Sequence, residues 1–201
     1  MNSETTFRTL FLLAFICMFG IRITSQLRLR VNRAGVRIRE KSPSLIAGSL
    51  AALVTLLFGG EYLFSPGSFG FAYALSYPDF LRWGGALLLF LGIAMLGAAH
   101  YHLDLSFHSL VVTKADQRLV QSGPYRWIRH PIYSAYLMNY LGGGLLAGNL
   151  VLTIVPTLLF GVLVALRVGP EEQVMVEQFG EKYLAYMKGT GRFIPRFGGT
   201  R

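Results

Sequence analysis

Two groups of polar residues in this chain have the types and spacing that chemistry requires. The first lies in residues 123–133, which contain Tyr125, Trp127 and His130. The second is Arg167 with Glu171 and Glu172. Both groups combine charged with hydrogen-bonding side chains, and the first adds flat aromatic rings. Each group is therefore a candidate for binding a charged small molecule.

The first group is predicted to surround the start of a helix. Pro131 disfavours helical geometry at His130, so the helix is expected to begin near Pro131. His130 would then lie beside the unpaired backbone N–H groups of a helix N-terminus, a place that suits the carboxylate of an amino-acid-like cofactor. Tyr125 and Trp127 offer surfaces for an adenine ring. Composition alone supports an interfacial basic–aromatic belt equally well.

The second group is predicted to share one face of a helix. Arg167 and Glu171 are four residues apart, which places them on the same side of a helix, although Pro170 could interrupt it. Two interpretations remain open. Arg167 either extends to the membrane interface as a long cationic side chain, or it forms a paired charge site that faces a cavity.

The elements that carry these groups have a membrane composition. Hydrophobic residues make up 53% of the 201 residues and charged residues only 14%, whereas a soluble domain carries about a quarter charged residues. Long apolar runs alternate with short basic segments, which predicts about five transmembrane helices. These spans are roughly residues 7–23, 45–64, 81–102, 133–147 and 150–168. The last two are expected to form a hairpin that turns at Gly148 and Asn149, and the first is expected to be a retained anchor rather than a signal peptide.

The loop charges predict the orientation. Basic residues crowd the first loop, the third loop and the tail, while residues 65–80 contain no Lys or Arg. By the positive-inside rule, this predicts an extracytoplasmic N-terminus and a cytoplasmic C-terminus and active site. The basic residues are Arg28, Arg30, Arg33, Arg37, Arg39, Lys41, Lys114, Arg118, Arg126, Arg129, Lys182, Lys188, Arg192, Arg196 and Arg201.

Several other functions are disfavoured. The net charge of +9 could suit nucleic acid, but most arginines flank apolar spans, which favours an anionic membrane face instead. Cys17 is the only cysteine, so one chain cannot form a disulfide or a cysteine zinc site. No motif supports a metal site at the histidines outside the first group, which are His100, His102 and His108.

The tail is predicted to form a separate helix. Pro170 suits the first turn of a helix, and residues 171–187 carry an imperfect amphipathic stripe. Gly189 and Gly191 would end this helix. We expect the segment to lie along the cytoplasmic membrane face.

The order of these pieces resembles one known superfamily. Residues 119–126 and 129–133 are similar to the signature of the isoprenylcysteine carboxyl methyltransferases and phospholipid methyltransferases. In that superfamily an apolar hairpin follows, then Arg-x-x-x-Glu-Glu, Phe-Gly-x-x-Tyr and a terminal Arg-Phe-x-Pro-like patch. The matching residues here are Arg167, Glu171, Glu172, Phe179, Gly180, Tyr183, Arg192, Phe193 and Pro195. The resemblance is close over residues 116–197.

The resemblance implies roles for individual residues. S-adenosylmethionine would be held by Gln117, Leu119, Val120, Tyr125, His130, Pro131, Tyr133 and Glu171. Arg167 would receive a substrate carboxylate, and Glu171 and Glu172 would complete the catalytic group. One departure is Gln117, because better-known members have histidine there. Glutamine keeps both donor and acceptor capacity, so we expect cofactor binding to survive.

Together these observations predict an all-α, polytopic membrane helix bundle that forms a single methyltransferase domain over residues 1–201. Residues 1–110 would supply three spans and the basic loop, and residues 111–201 the cofactor-binding, catalytic half. The favoured activity is methyl transfer to the carboxylate of a lipidated, isoprenylcysteine-like substrate. The alternatives are N-methylation of phosphatidylethanolamine and a non-catalytic small membrane protein. The expected partners are the bilayer and a lipid substrate, with neither nucleic acid nor metal.

Overall fold

The computed structural model describes residues 3–32, 42–108 and 119–196, and within these ranges the chain is helical, with no β-strand. The helices are α1 (Ser3–Asn32), α2 (Ser42–Phe64), α3 (Asp79–His108), α4 (Pro131–Ala147), α5 (Leu150–Phe179) and α6 (Glu181–Gly189). Two short 3₁₀ turns lie at Gly70–Tyr73 and Gly123–Arg126. Several of the basic residues on which the predicted orientation depends lie outside the described ranges, namely Arg33, Arg37, Arg39, Lys41, Lys114, Arg118 and Arg201.

Each predicted span falls inside one of the first five helices. Four of them, α1, α2, α3 and α5, contain segments long and apolar enough to cross a membrane. Helix α4 has 17 residues, slightly short of the roughly 20 that span a bilayer. The predicted all-α membrane bundle is confirmed, and the chain is an integral membrane protein. Most of its large exposed side chains are apolar, as a lipid-facing surface requires.

Helix α4 packs most extensively against α3, and small residues permit the close approach. A Cβ atom added to Gly85 would lie 2.6 Å from the backbone nitrogen of Leu146. One added to Gly142 would lie 2.6 Å from the backbone nitrogen of Leu89. Such contacts let helix backbones approach in a membrane, where packing rather than the hydrophobic effect holds helices together. Helix α4 is therefore rigidly placed.

The predicted hairpin between α4 and α5 is confirmed. Gly148 adopts the left-handed conformation with φ of 65° and ends α4. Asn149 begins α5, because its side chain accepts a hydrogen bond from the backbone nitrogen of Leu152. An antiparallel hairpin brings residues equally distant from its turn side by side. The start of α4 therefore lies against the second half of α5.

The prediction that a separate helix starts at Pro170 was wrong. Helix α5 continues through Pro170 and ends at Phe179. A proline removes a single hydrogen bond from a helix interior. Val168 and Glu172, one turn apart on either side of it, are both buried against the bundle, and this packing holds the two halves in line. The break comes at Gly180, whose φ is 54°, and α6 ends at Gly189 as predicted.

Candidate active site at the start of helix α4

The C-terminal segment forms one wall of the candidate site by pairing with the residues before α4. The backbone nitrogen of Arg129 donates to the carbonyl oxygen of Gly191 over 2.8 Å, and that of His130 donates to Arg192 over 3.0 Å. Gly191 in turn donates to the carbonyl oxygen of Trp127 over 3.0 Å. These bonds form a short parallel bridge. The terminal patch that contains Arg192 and Phe193 is thereby fixed beside His130.

A buried carboxylate joins the two segments. We call Arg129, His130, Glu172 and Arg192 the Glu172 cluster. Arg129 Nε donates to Glu172 Oε1 over 3.0 Å, and Arg192 Nη2 donates to Oε2 over 2.5 Å. His130 Nε2 lies 3.3 Å from Oε1. The side chains of Glu172 and Arg129 are only 7% and 9% exposed.

The hydrogen bonds of the Glu172 cluster fix its side chains and the end of α6 in place. A buried carboxylate is tolerated when charged partners satisfy both oxygens, and here both oxygens are satisfied. Arg129 also donates to the carbonyl oxygens of Met187 and Thr190, so it holds the end of α6 as well. Both Glu172 oxygens are thus engaged within the cluster, and its predicted place in the catalytic group stays a prediction.

Glu171, the next residue along α5, faces a different direction. Its Oε1 accepts a hydrogen bond from the Tyr133 hydroxyl over 2.7 Å and lies 3.3 Å from Arg167 Nε. The Arg167–Glu171 pair is thus the same-face pair that the spacing predicted. The Glu171 side chain is 34% exposed, so its carboxylate remains accessible to a small molecule, unlike that of Glu172.

His130 lies between the two carboxylates. Its Nε2 faces Glu172, and its Nδ1 lies 3.9 Å from Glu171 Oε2. Burial lowers the pKa of His130 below its ordinary value, and this effect outweighs the two carboxylates, which raise it. The imidazole is therefore neutral at pH 7. When Nε2 donates its proton to Glu172, the Nδ1 lone pair is left as an acceptor beside Glu171.

Aromatic rings surround the imidazole. The ring of Tyr133 stacks on His130 with a centroid distance of 5.7 Å, and the ring of Phe193 lies 6.0 Å away. Tyr133 also meets Phe160 of α5 at 6.1 Å. These rings keep water from most of the imidazole. They also offer flat surfaces to a ligand at the start of α4.

The remaining residues that were predicted to bind the cofactor lie close to the Glu172 cluster in the sequence but are not members of it. Tyr125 is buried in the second 3₁₀ turn, and its carbonyl oxygen accepts a bond from the Tyr186 hydroxyl over 2.5 Å. Leu119 and Val120 are half-buried just before that turn. Pro131 is fully buried. Gln117 lies outside the described residues.

The prediction from the sequence missed Arg129 and the full role of Arg192. Arg129 belonged to the first polar group but received no function of its own. A signal was present, since an arginine beside the start of a buried helix needs a carboxylate partner. Nothing in the sequence pattern identified Glu172 rather than Glu171 as that partner.

The residues present fit an amino-acid-like cofactor. The accessible Glu171 carboxylate and His130 Nδ1 are neighbouring acceptors 3.9 Å apart, which suits an ammonium group. The backbone N–H groups of His130, Tyr133 and Ser134 already donate to carbonyl oxygens. Pro131 has no N–H, so Ile132 supplies the remaining N–H that the start of α4 offers to a carboxylate. Within the described ranges, no group of His, Cys, Asp or Glu side chains could hold a metal ion.

Comparison with known proteins gives a consistent result. The sequence model of the isoprenylcysteine carboxyl methyltransferase family matches residues 85–177. A protein-S-isoprenylcysteine O-methyltransferase of Schizosaccharomyces pombe is 33% identical over 109 residues, which are 53% of this chain and 46% of that protein. The cobalt-zinc-cadmium resistance protein CzcN of Cupriavidus metallidurans is 30% identical over 118 residues, 57% of this chain and 54% of that protein. The chain thus matches about half the length of these relatives.

Among solved structures, that of a eukaryotic intramembrane Ras methyltransferase, an isoprenylcysteine carboxyl methyltransferase, shares the fold. The TM-score is 0.51 at 22% identity, over 82% of this chain and 56% of the other. This similarity extends beyond residues 85–177 to most of the helix bundle.

Proposed function

We propose that this chain is a member of the isoprenylcysteine carboxyl methyltransferase family, whose sequence model matches residues 85–177. In this proposal it methylates the carboxylate of a lipidated, isoprenylcysteine-like substrate with S-adenosylmethionine as the methyl donor. The observation that carries the proposal is the convergence of His130 and Tyr133 from the start of α4 with Arg167 and Glu171 from α5. These residues are the ones that the superfamily signature contributes.

In this proposal, different residues of the chain bind different parts of the cofactor. Glu171 and His130 Nδ1 accept hydrogen bonds from its ammonium group. The backbone at the start of α4 binds its carboxylate. The adenosine portion rests on the apolar and aromatic residues Leu119, Val120, Tyr125, Pro131 and Tyr133, with Gln117 contributing a polar contact. When bound, the cofactor supplies an electrophilic methyl group on a sulfonium.

Arg167 is proposed to orient the substrate. A guanidinium can donate two parallel hydrogen bonds to a carboxylate, and the pairing of Arg167 with Glu171 holds it beside the cofactor residues. The bound cofactor would supply the methyl group, and Arg167 would hold a substrate carboxylate oxygen in position to receive it. No proton moves, so the site needs no general base. Its tasks are alignment and exclusion of water.

An amine substrate would place a different demand on the site. N-methylation of phosphatidylethanolamine requires a group that accepts a proton from the amine. Of the two adjacent glutamates, Glu172 is poorly placed to accept this proton, because both of its oxygens are engaged by guanidinium groups in the Glu172 cluster. This arrangement favours a carboxylate substrate.

The membrane orientation and the organisation as one domain are part of the same proposal. The basic residues of the tail, including Lys182, Lys188 and Arg196, lie at the α5–α6 end of the bundle with the candidate site. The positive-inside rule assigns this end to the cytoplasm, where the cofactor is soluble. The lipid tail of the substrate would enter from the bilayer, and residues 1–201 would act as one domain.

A direct assay tests this function. The purified chain in detergent is incubated with methyl-labelled S-adenosylmethionine and either a farnesylcysteine analogue or phosphatidylethanolamine. We expect base-labile label, as a methyl ester gives, on the farnesylcysteine analogue only. Transfer to phosphatidylethanolamine alone would establish the N-methyltransferase alternative. Absence of transfer to both, together with absence of S-adenosylhomocysteine binding, would contradict methyltransferase activity altogether.

Cofactor binding should depend on pH through His130. Burial holds the pKa of His130 below its ordinary value, so the imidazole gains a proton only in more acidic solution than a free histidine does. Protonation removes the Nδ1 acceptor, so the affinity for S-adenosylhomocysteine should fall as the pH is lowered through the range in which His130 titrates. Calorimetry over a series of decreasing pH values measures the effect. A His130→Ala variant should bind weakly throughout the series, and a pH response that persists in this variant would assign it to another group.

A further inference from the structure

A polar pocket lies at the opposite end of α4 from the candidate active site. Its volume is about 370 Å³, and Ala147 and Gly148 line it at the end of the helix whose first residue follows His130. The 17 residues of α4 separate the two places by roughly 24 Å, at 1.5 Å per residue. Its other walls include Glu4, Tyr62, Tyr73, Ser76, Tyr77 and Arg82.

A paired charge forms one wall of this pocket, and we call Glu4 with Arg82 the outer ion pair. Arg82 Nη1 lies 2.6 Å from Glu4 Oε2, and Arg82 Nη2 lies 3.3 Å from Oε1. The side chain of Arg82 is 11% exposed and that of Glu4 is 42% exposed. The carboxylate therefore remains open to a ligand.

The guanidinium of Arg82 is held rigidly. Its Nε donates to the carbonyl oxygen of Leu146 over 2.9 Å, and its Nη2 donates to the Tyr62 hydroxyl over 2.9 Å. Its Cζ lies 4.1 Å from the centre of the Phe7 ring. Among the described contacts, one N–H of Nη1 has no acceptor. A donor fixed in this way is preorganised to bind an anionic oxygen.

The remaining walls combine aromatic faces with hydroxyl groups. Tyr73 and Tyr77 contribute rings, and Ser76 adds an exposed hydroxyl. Tyr73 is fixed by a hydrogen bond of 2.6 Å from its hydroxyl to Glu61 Oε2. Aromatic faces beside an accessible carboxylate favour an ammonium group.

The pocket lies where candidate membrane spans end. It lies between the end of α2 and the start of α3, both of which belong to candidate spans. Phe64, Phe71 and Phe80 are largely exposed around this end of the bundle, as is Leu75 on the pocket wall. Apolar side chains so exposed need lipid contact. The surroundings of the pocket are therefore headgroups with acyl chains beside them.

We propose that this pocket binds the headgroup of a zwitterionic phospholipid from the leaflet opposite the candidate active site. An ion pair presents both signs of charge side by side, so its best complement is a ligand that also carries both signs. The phosphate accepts hydrogen bonds from Arg82 and the nearby hydroxyls. The ammonium lies against Glu4 and the tyrosine rings. The acyl chains lie over the exposed phenylalanines.

Intrinsic fluorescence offers a local probe of this site. The ring of Trp83 packs edge-on against Phe7 with a centroid distance of 5.2 Å. The guanidinium of Arg82 lies over the Phe7 ring. The chain has two tryptophans, so a Trp127→Phe background leaves Trp83 as the single reporter. The full chain in detergent is titrated with dihexanoyl phosphatidylethanolamine, and dihexanoyl phosphatidylglycerol and inorganic phosphate serve as comparison ligands.

We expect a saturable change with phosphatidylethanolamine and an affinity at least about tenfold weaker for both comparison ligands. Ser76→Phe places a bulky ring in the pocket while Glu4 and Arg82 stay unchanged, and it should abolish the saturable change. Ser68→Phe, an exposed position in the same loop that does not line the pocket, should leave it intact. Equal binding of phosphatidylglycerol would overturn the zwitterion assignment. No saturable binding, or binding that Ser76→Phe does not alter, would overturn the site.

Discussion

Arg167→Lys is expected to lower kcat/KM about ten- to a hundredfold while cofactor affinity stays unchanged. A lysine keeps the positive charge beside Glu171 but cannot reproduce the two parallel donors of a guanidinium. A charge-assisted hydrogen bond contributes roughly 1.5–3 kcal/mol, which corresponds to this range of rates. If the contact strengthens as the oxygen approaches the methyl group, kcat falls as well as the affinity for substrate.

Steady-state kinetics with the farnesylcysteine analogue measure this loss, and calorimetry with S-adenosylhomocysteine measures the cofactor. Arg126→Lys is the matched control, because Arg126 is exposed beside Trp127 at the same end of the bundle. The control should retain its rate. Full activity in Arg167→Lys would make Arg167 an interfacial anchor, since lysine reaches the interface equally well, and the argument for a carboxylate substrate would fail.

Glu172→Leu is expected to destabilise the protein by about 3–5 kcal/mol, because it leaves the buried Arg129 guanidinium without its carboxylate. The same change removes the partner of Arg192, so the backbone bridge at Gly191 should loosen. The melting midpoint in detergent and hydrogen exchange at residues 191–193 measure the two effects. Cofactor affinity should fall in parallel, because His130 also loses the partner that orients its ring.

A control on the same helix separates this effect from a general cost of substitution in α5. Glu177 is exposed and bonded only to Gln173 among the described contacts. Glu177→Leu should change stability by no more than about 0.5 kcal/mol. If Glu172→Leu matched this control in both melting and exchange while activity disappeared, Glu172 would be a reacting group and not the positioning residue argued above.

The sequence by itself determined the number and order of the spans, the start of α4 and the turn between α4 and α5. Each span is identified by the length of its apolar run, which does not depend on the helices against which it packs. The start of α4 at Pro131 and the turn at Gly148 follow from backbone restrictions that act within a few residues. The pairing of Arg167 with Glu171 follows from the period of the helix alone.

The tertiary structure decided which of two adjacent glutamates is buried. Glu171 and Glu172 differ by about 100° around α5, and only the position of the α4 start and of the C-terminal segment determines which one meets Arg129. The bridge between residues 127–130 and 191–192 joins segments about sixty positions apart, a separation over which local pattern carries no information.

Packing also decided the course of α5 and the outer ion pair. The proline at position 170 predicted a helix start, yet burial of Val168 and Glu172 on either side keeps the helix continuous. Glu4 and Arg82 are 78 residues apart and meet because α1 and α3 pack together. Dihedral preferences and hydropathy are properties of single residues and short windows, whereas a charge pair between distant helices exists only once the bundle has assembled.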